Sequence, residues 1–396
     1  MEKNLTILGG GPIGVETAAR AVEAERDYEI TVLEAGSVGE HVRSWGHVRL
    51  FSPWELNRSR WGSRRLQNAG VTLADDGDYP TGDEYVADYL LPLAESLRDD
   101  VDFRLHTKVV GVSRDDVLKP EHVGGEKRRE VPFLIRTDGL DGRGFEEADI
   151  VIDTTGVLAM PSPLGPGGLP AVGERRLNGA ITRAIPDVDM RRGDFANQRT
   201  LVVGHGHSAM TTLDALNRLR DQAENTQVVW AFRTGAEPCT EIEDDPLPER
   251  ARLDRFGNAA SRGEIDGITP IPNATVRRID ESDGTLTVTL DTAEGTQQVT
   301  VDHIVANVGY RPDISLYREL QVHLCYATDG PMNLAASLMS ADAGADCLDQ
   351  SAGGIDTLTT PEPDFYVLGA KSYGRNPNFL LNVGFEQIDT LFEARL

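Results

Sequence analysis

The segment Leu5-Thr6-Ile7-Leu8-Gly9-Gly10-Gly11-Pro12-Ile13-Gly14 reads as a strand running into a glycine turn, and Thr200-Leu201-Val202-Val203-Gly204-His205-Gly206-His207-Ser208-Ala209 repeats it near the middle of the chain. In the first copy Leu5–Leu8 is an apolar run, a small-residue helical stretch follows from Pro12 to about Glu25, and Glu29–Leu33 reads as a second strand. Parallel strands need a helical crossover of this kind, so the opening is a βαβ unit. Gly9, Gly11 and Gly14 make G-x-G-x-x-G. There the first glycine permits the turn, the second lets the backbone approach a pyrophosphate, and the third lets helix and strand pack closely. The phosphates then lie at the helix N-terminus, whose free N–H groups and partial positive charge suit an anion. Glu34 ends the second strand, where a carboxylate can accept hydrogen bonds from a ribose diol.

In the second copy Ala209 replaces the third glycine, a change the pattern tolerates. Ser208–Gln222 reads as the helix and Gln227–Phe232 as the next strand, with Arg233 at its end where the first unit has Glu34. An acid there would repel a 2′-phosphate, whereas a guanidinium pairs with it through two bonds. NADPH is therefore expected over NADH. His205 and His207 stand where they could touch the pyrophosphate, but their main-chain N–H groups suffice for it, so the two imidazoles receive no catalytic role.

Around these units, Thr81-Gly82-Asp83-Glu84 has the form of a capping box, and Val86, Tyr89, Leu90, Leu93 and Leu97 continue at helical spacing, with Pro92 a point of bending. Phe103–Leu105, Thr107–Ser113 and Phe133–Thr137 suggest a meander around the polar loop 114–130, and Asp149–Asp153 a returning core strand. The Pro/Gly-rich stretch Pro161 to Pro170 marks a boundary. Val276–Ile279, Thr285–Leu290 and Gln297–Val301 read as further strands, followed by His303–Asn307, Phe365–Leu368 and a helix over Phe379–Phe392. The fold class expected is α/β, with two Rossmann-like domains. Residues 166–299 are inserted into a discontinuous domain of residues 1–165 and 300–396.

The 396 residues, 39% of them hydrophobic, suffice for two ordinary cores. With 39 Lys+Arg against 64 Asp+Glu the net charge is −25, a field that repels nucleic acid and anionic membrane surfaces. No apolar run approaches a membrane span and no basic, apolar leader precedes Leu5, so a cytoplasmic location is expected. Cys239, Cys325 and Cys347 stand 86 and 22 positions apart, which leaves no close pair to act as a dithiol. Cys347, in an Ala/Gly/Asp-rich stretch, reads as an incidental thiol or as a redox or soft-metal one. Lys371, Tyr373 and Arg375 follow the last strand where open α/β sheets bind ligands, and read either as site residues or as solvated loop groups.

The sequence resembles the two-dinucleotide-binding-domain flavoproteins over nearly its whole length, and most of all the flavin-dependent (class B-like) and N-hydroxylating monooxygenases. Besides the two glycine loops, Asp153-Thr154-Thr155-Gly156 resembles that family's A-T-G turn beside FAD, and Asn307-Val308-Gly309-Tyr310-Arg311-Pro312 its T-G-Y-R-P return strand. Trp45-Gly46-His47-Val48-Arg49-Leu50-Phe51-Ser52-Pro53 resembles the stretch those enzymes run past the flavin ring. The resemblance implies FAD at Gly9, Gly11, Pro12, Ile13, Gly14, Glu34, Ala35, Arg43, Trp45, Val109, Thr154, Thr155, Gly156, Gly369 and Ala370. It implies NADPH at Gly204 to Ala209 and Arg233. Trp45, with Trp54 and Trp61 in the same arginine-rich segment, is open to a core reading as well.

Two departures narrow the match. The linker Gly179–Phe195 has no histidine, so the F-x-G-x-x-x-H fingerprint of flavin-containing and Baeyer–Villiger monooxygenases is absent, and the family's late G-D motif is Gly369-Ala370. What the resemblance then implies is reduction of flavin by NADPH and oxygen transfer, through a C4a-peroxyflavin, to a small soft N- or S-nucleophile. The partners are a small substrate and O2, and a homodimer is the expected assembly. No catalytic side chain and no metal is assigned. The alternatives are an NAD(P)H-dependent flavin reductase or electron-transfer enzyme, and a flavin-binding redox sensor without turnover.

Overall fold

Two parallel sheets, each carrying a glycine loop at the carboxyl end of its third strand, organise the computed structural model. It describes residues 3–24, 26–140, 142–340 and 353–396. Cys347 lies outside the described residues. The chain divides into Met1–Met160 with Arg311–Leu396, and Pro161–Tyr310.

In the first unit the sheet has the order β16-β7-β1-β2-β3, built from β1 (Lys3–Leu8), β2 (Tyr28–Leu33), β3 (Val101–Arg104), β7 (Ile150–Asp153) and β16 (Phe365–Val367). Strand residues alternate between its faces. Leu5, Ile7, Ile150 and Ile152 enter a core with the helices Pro12–Val22 and Leu381–Ala394, whereas Leu8 and Val151 enter a second core with Val109, Phe133 and Ile135. Those three belong to an antiparallel meander, β4 (Thr107–Arg114), β5 (Phe133–Gly139) and β6 (Gly142–Ala148). The run Phe103–Leu105, expected in that meander, instead falls largely in β3, which pairs parallel to β2 and buries Val101 in the sheet core.

The capping box at Thr81 is present. Behind it the helix relaxes into one π turn over Val86–Leu90 before continuing to Ser96. Pro92 has no N–H for a regular helical bond, and the wider turn absorbs that defect.

The second unit has the sheet β11-β10-β9-β15-β8, from β8 (Ile181–Thr182), β9 (Arg199–Val203), β10 (Gln227–Ala231), β11 (Ile268–Ile271) and β15 (His303–Ala306). A second meander, β12 (Thr275–Ser282), β13 (Thr285–Thr292) and β14 (Gly295–Val301), shares a core with Leu201, Val203 and Ile304. The helix opens at His207 and runs to Arg220, and a helix not anticipated, Pro248–Ser261, packs beside it. β15 pairs with β9. The boundaries expected at 165/166 and 299/300 therefore fall at 160/161 and 310/311.

Candidate functional site

Each glycine loop sits where its sheet changes direction. β1 is flanked by β2 and β7, and β9 by β10 and β15, so consecutive connections leave the central strand toward opposite sides. Such a switch point opens a crevice at the strands' carboxyl ends.

In the first crevice Gly9 has φ +100°, a backbone that L side chains rarely adopt. Its N–H donates to Leu33 O at 2.8 Å. A Cβ at Gly14 would lie 1.8 Å from Gly9 O, so the close-packing role of the third glycine is real here. A Cβ at Gly11, by contrast, would meet nothing within 4 Å. That space, over the first turn of the helix Pro12–Val22, is the cradle a pyrophosphate needs. Glu34 spans the loop, one carboxylate oxygen accepting from Gly10 N–H at 2.6 Å and the other from Gly36 N–H at 2.7 Å. Each oxygen keeps a lone pair for a hydroxyl.

The other predicted FAD residues of this unit are spread over several places. Thr154, Thr155 and Gly156 follow β7, with the Thr154 hydroxyl donating to Leu8 O at 2.8 Å. Gly369 and Ala370 follow β16, and Gly369 packs against Ile13, its N–H held by Gln387 Oε1 at 2.8 Å. Val109 is buried, next to a register break at Val110, so only its main chain is available to a ligand. Ala35 and Arg43 are exposed. Trp45 is half-buried against Gly82, in a segment tied to residues 78–83 by Leu50 N–H to Pro80 O and Gly82 N–H to Val48 O. Trp54 belongs to the core with Tyr85 and Tyr89, and Trp61 lies under Arg20, 4.4 Å from its ring centre.

The second crevice repeats the first with different bottlenecks. Gly204 has φ +124°, and a Cβ there would lie 2.1 Å from Asn307 O. Ala209 is accommodated at the third position, fully buried, and the space over Gly206 is open. Trp230 Nε1 donates to Gly204 O at 2.7 Å and so fixes the turn from the neighbouring strand, a contact no local pattern announces. His205 is half-buried, and burial first, then the Arg233 charge, push its pKa down. Both effects favour the neutral imidazole over the charged one. The His207 ring sits 3.1 Å from the buried Asp254 carboxylate.

One equivalence needs correction. Leu8 pairs with Leu33 and Val203 with Ala231, so the counterpart of Glu34 is Phe232, and Arg233 matches Ala35. Phe232 packs onto Trp230, ring centres 4.2 Å apart, and Arg233, in the bend after the strand, is exposed.

Lys371 and Tyr373 are not solvated loop groups: both are buried, and Lys371 Nζ binds Asp153 Oδ2 at 2.6 Å. Arg375 is exposed and paired with Asp329. Among the described residues no cluster of three or more His, Cys, Asp or Glu could hold a metal, and no helix is long and apolar enough to cross a membrane.

The sequence matches no protein-family model, and no curated protein matches it. Solved structures do resemble it. Bacillithiol disulfide reductase Bdr from Bacillus cereus is 18% identical with a TM-score of 0.67, covering 99% of this chain and 98% of its own. The Kutzneria sp. 744 ornithine N-hydroxylase KtzI, solved with reduced FAD, NADP+ and L-ornithine, is 14% identical with a TM-score of 0.63 over 100% of both chains. The thioredoxin reductase of T. acidophilum is 15% identical with a TM-score of 0.61 over 99% of each. The chain has the fold of the two-dinucleotide-binding-domain flavoproteins.

Proposed function

We propose that the protein is an FAD- and NADPH-dependent oxidoreductase, and that it is a monooxygenase acting on a small soft nitrogen or sulfur centre. The observation that carries this reading is the repetition of one geometry in two units: a positive-φ first glycine, open space over the second, and a helix N-terminus behind it. The residues present fit a dinucleotide in each. Gly9, Gly11 and Gly14 would seat the FAD pyrophosphate, with Glu34 accepting from the adenosine ribose. Gly204, Gly206 and the main chain of His205 to Ser208 would seat that of NADPH, with Arg233 reaching the 2′-phosphate.

Bound FAD supplies hydride acceptance and oxygen activation, so the protein needs no nucleophile of its own. What the chain contributes is binding, orientation and exclusion of water. Thr154 to Gly156 and Gly369 to Ala370 bracket the crevice at the ends of β7 and β16, and their backbone groups supply hydrogen bonds in fixed positions. Oxygen is preferred to a disulfide as final acceptor because the cysteines are too far apart in sequence to form a C-x-x-C dithiol. The Cys239 thiol is, besides, pushed up to about 12 by burial and by Asp254 and Glu241, which keeps it unreactive.

The deciding experiment is to purify the protein, follow bleaching of its visible spectrum by NADPH without air, and then admit 18O2 with a panel of amines and thioethers. A product carrying one labelled oxygen atom is expected. NADPH consumption without labelled product would assign a reductase, and no bleaching at all a flavin-binding sensor.

A further inference from the structure

Of the five lysines of the chain, Lys3, Lys108, Lys119, Lys127 and Lys371, the first four are exposed and Lys371 is completely buried. A buried ammonium persists only with partners for its charge and its protons. Asp153, also completely buried, takes one through Oδ2 at 2.6 Å, and Thr155 Oγ1 takes another at 2.9 Å. The ring of Tyr317 lies 5.0 Å from Nζ, close enough for its π face to attract the charge. The Thr155 hydroxyl donates in turn to Asp153 Oδ1 at 2.7 Å, and the Thr155 N–H to the same oxygen at 3.0 Å. Lysine, aspartate and threonine thus form a closed ring of bonds.

That ring lies at the crevice. Asp153 ends β7 and Lys371 follows β16, so the pair joins two strands at their carboxyl ends across 218 positions of sequence. The turn it clamps is the wall of the first glycine loop: a Cβ at Gly9 would lie 3.1 Å from both Thr154 O and Thr155 Cα. The carboxylate expected at Ala370 is missing, and the residue beside it is this lysine.

We infer that Lys371 is a positioning residue for FAD: through Asp153 and Thr155 it fixes the Thr154–Gly156 turn against Gly9 and thereby sets the affinity of the first crevice for its dinucleotide. This rests on the assignment of FAD to that crevice. The ring acts on the cofactor through Thr155.

The test measures FAD affinity and folding separately, on apoprotein titrated with FAD by flavin fluorescence and followed by circular dichroism on heating. Wild-type protein that takes up no FAD would defeat the cofactor assignment before any variant is made. Lys371→Met alone leaves Asp153 buried and unpaired, and is expected to lower the unfolding temperature. The double variant Asp153→Leu/Lys371→Met removes both charges and keeps an apolar filling of the site. It is expected to regain most of that stability while FAD binds on the order of 10- to 100-fold more weakly. Thr155→Val keeps the charge pair and the side-chain volume, removes only the shared hydroxyl, and is expected to weaken FAD about 10-fold while lowering the unfolding temperature less than Lys371→Met does, so the question is answered even where the double variant does not fold. FAD affinity within 3-fold of wild type in either folded variant would overturn the inference and leave the ring a stabilising element alone.

Discussion

The two glycine loops have one backbone and two different steric bottlenecks. In the first, the tight place is the third glycine, where a Cβ would come within 1.8 Å of Gly9 O; in the second it is the first glycine, where a Cβ would come within 2.1 Å of Asn307 O, and the third position already carries the methyl of Ala209. The rims differ too. Glu34 is stapled across its loop by two N–H groups, whereas its counterpart Phe232 is buried and the adjacent Arg233 is exposed. A shared glycine pattern therefore specifies the turn and the open cradle, but neither where the packing is tightest nor which charge meets the ribose.

The largest expected effect comes from exchanging the third positions. Gly14→Ala must push apart Gly9 and Thr154, an overpacking that costs about 3 kcal/mol and removes bound flavin. Ala209→Gly only loosens a helix, at a cost of ~1 kcal/mol, and leaves both cofactors in place. Thermal unfolding and flavin content of the two variants measure the contrast, and equal losses would mean that the two loops share one bottleneck.

Next in size is the pair at the open cradles. A Cβ at Gly11 or at Gly206 would meet nothing within 4 Å, so Gly11→Val and Gly206→Val are both expected to fold. Gly11→Val is expected to purify colourless, and Gly206→Val to stay yellow but lose about 100-fold or more, ~2.7 kcal/mol, in NADPH affinity. Full flavin occupancy in Gly11→Val would reject the first assignment, and unchanged NADPH binding in Gly206→Val the second.

Both βαβ units were legible in the sequence because each couples a short apolar run to glycines whose roles are local. What escaped was non-local or weakly patterned. β6, Gly-Arg-Gly-Phe-Glu-Glu-Ala, is nearly all exposed and offers no alternation of buried and exposed residues, and Pro270 breaks the strand signal of β11. Arg128, in what reads as a polar loop, is wholly buried because Glu362, 234 positions away, accepts its guanidinium. The buried pairing of Lys371 escaped for the same reason, since its partner Asp153 stands 218 positions away. The one-residue offset at Arg233 arose because the strand ends at Ala231, and only its register with β9 reveals this.

A smaller effect tests the rim. Arg233→Ala removes a charge-assisted contact to the 2′-phosphate, worth roughly 1.5–3 kcal/mol, and is expected to lower NADPH efficiency 10- to 100-fold while changing NADH little. The motivating geometry is an exposed guanidinium near enough to depress the His205 pKa at the mouth of the second loop. Stopped-flow flavin reduction with each nucleotide gives both numbers. Equal losses for the two cofactors would mean that Arg233 supports the loop and does not read the phosphate.

The smallest effect concerns the thiols, and it sharpens the contrast by asking whether either unit carries redox chemistry of its own. Cys239, in the second unit, is held neutral: burial first, then Asp254 and Glu241, raise its pKa to about 12. Cys325, in the first unit, has its pKa lowered by the Thr328 hydroxyl and by backbone N–H groups of Ala327 and Thr328, yet its side chain is buried. A thiol relay needs an accessible thiolate with a second sulfur beside it, and neither site offers both. Replacing Cys239, Cys325 and Cys347 together by serine should therefore leave the rate of NADPH-driven flavin reduction within a few-fold, since a buried Cys-to-Ser change perturbs packing and hydrogen bonding by about 1–3 kcal/mol without touching either cradle. A folded, flavin-loaded triple variant that NADPH no longer bleaches would show that a cysteine takes part in the reductive step. It would move the function from oxygen transfer toward disulfide reduction.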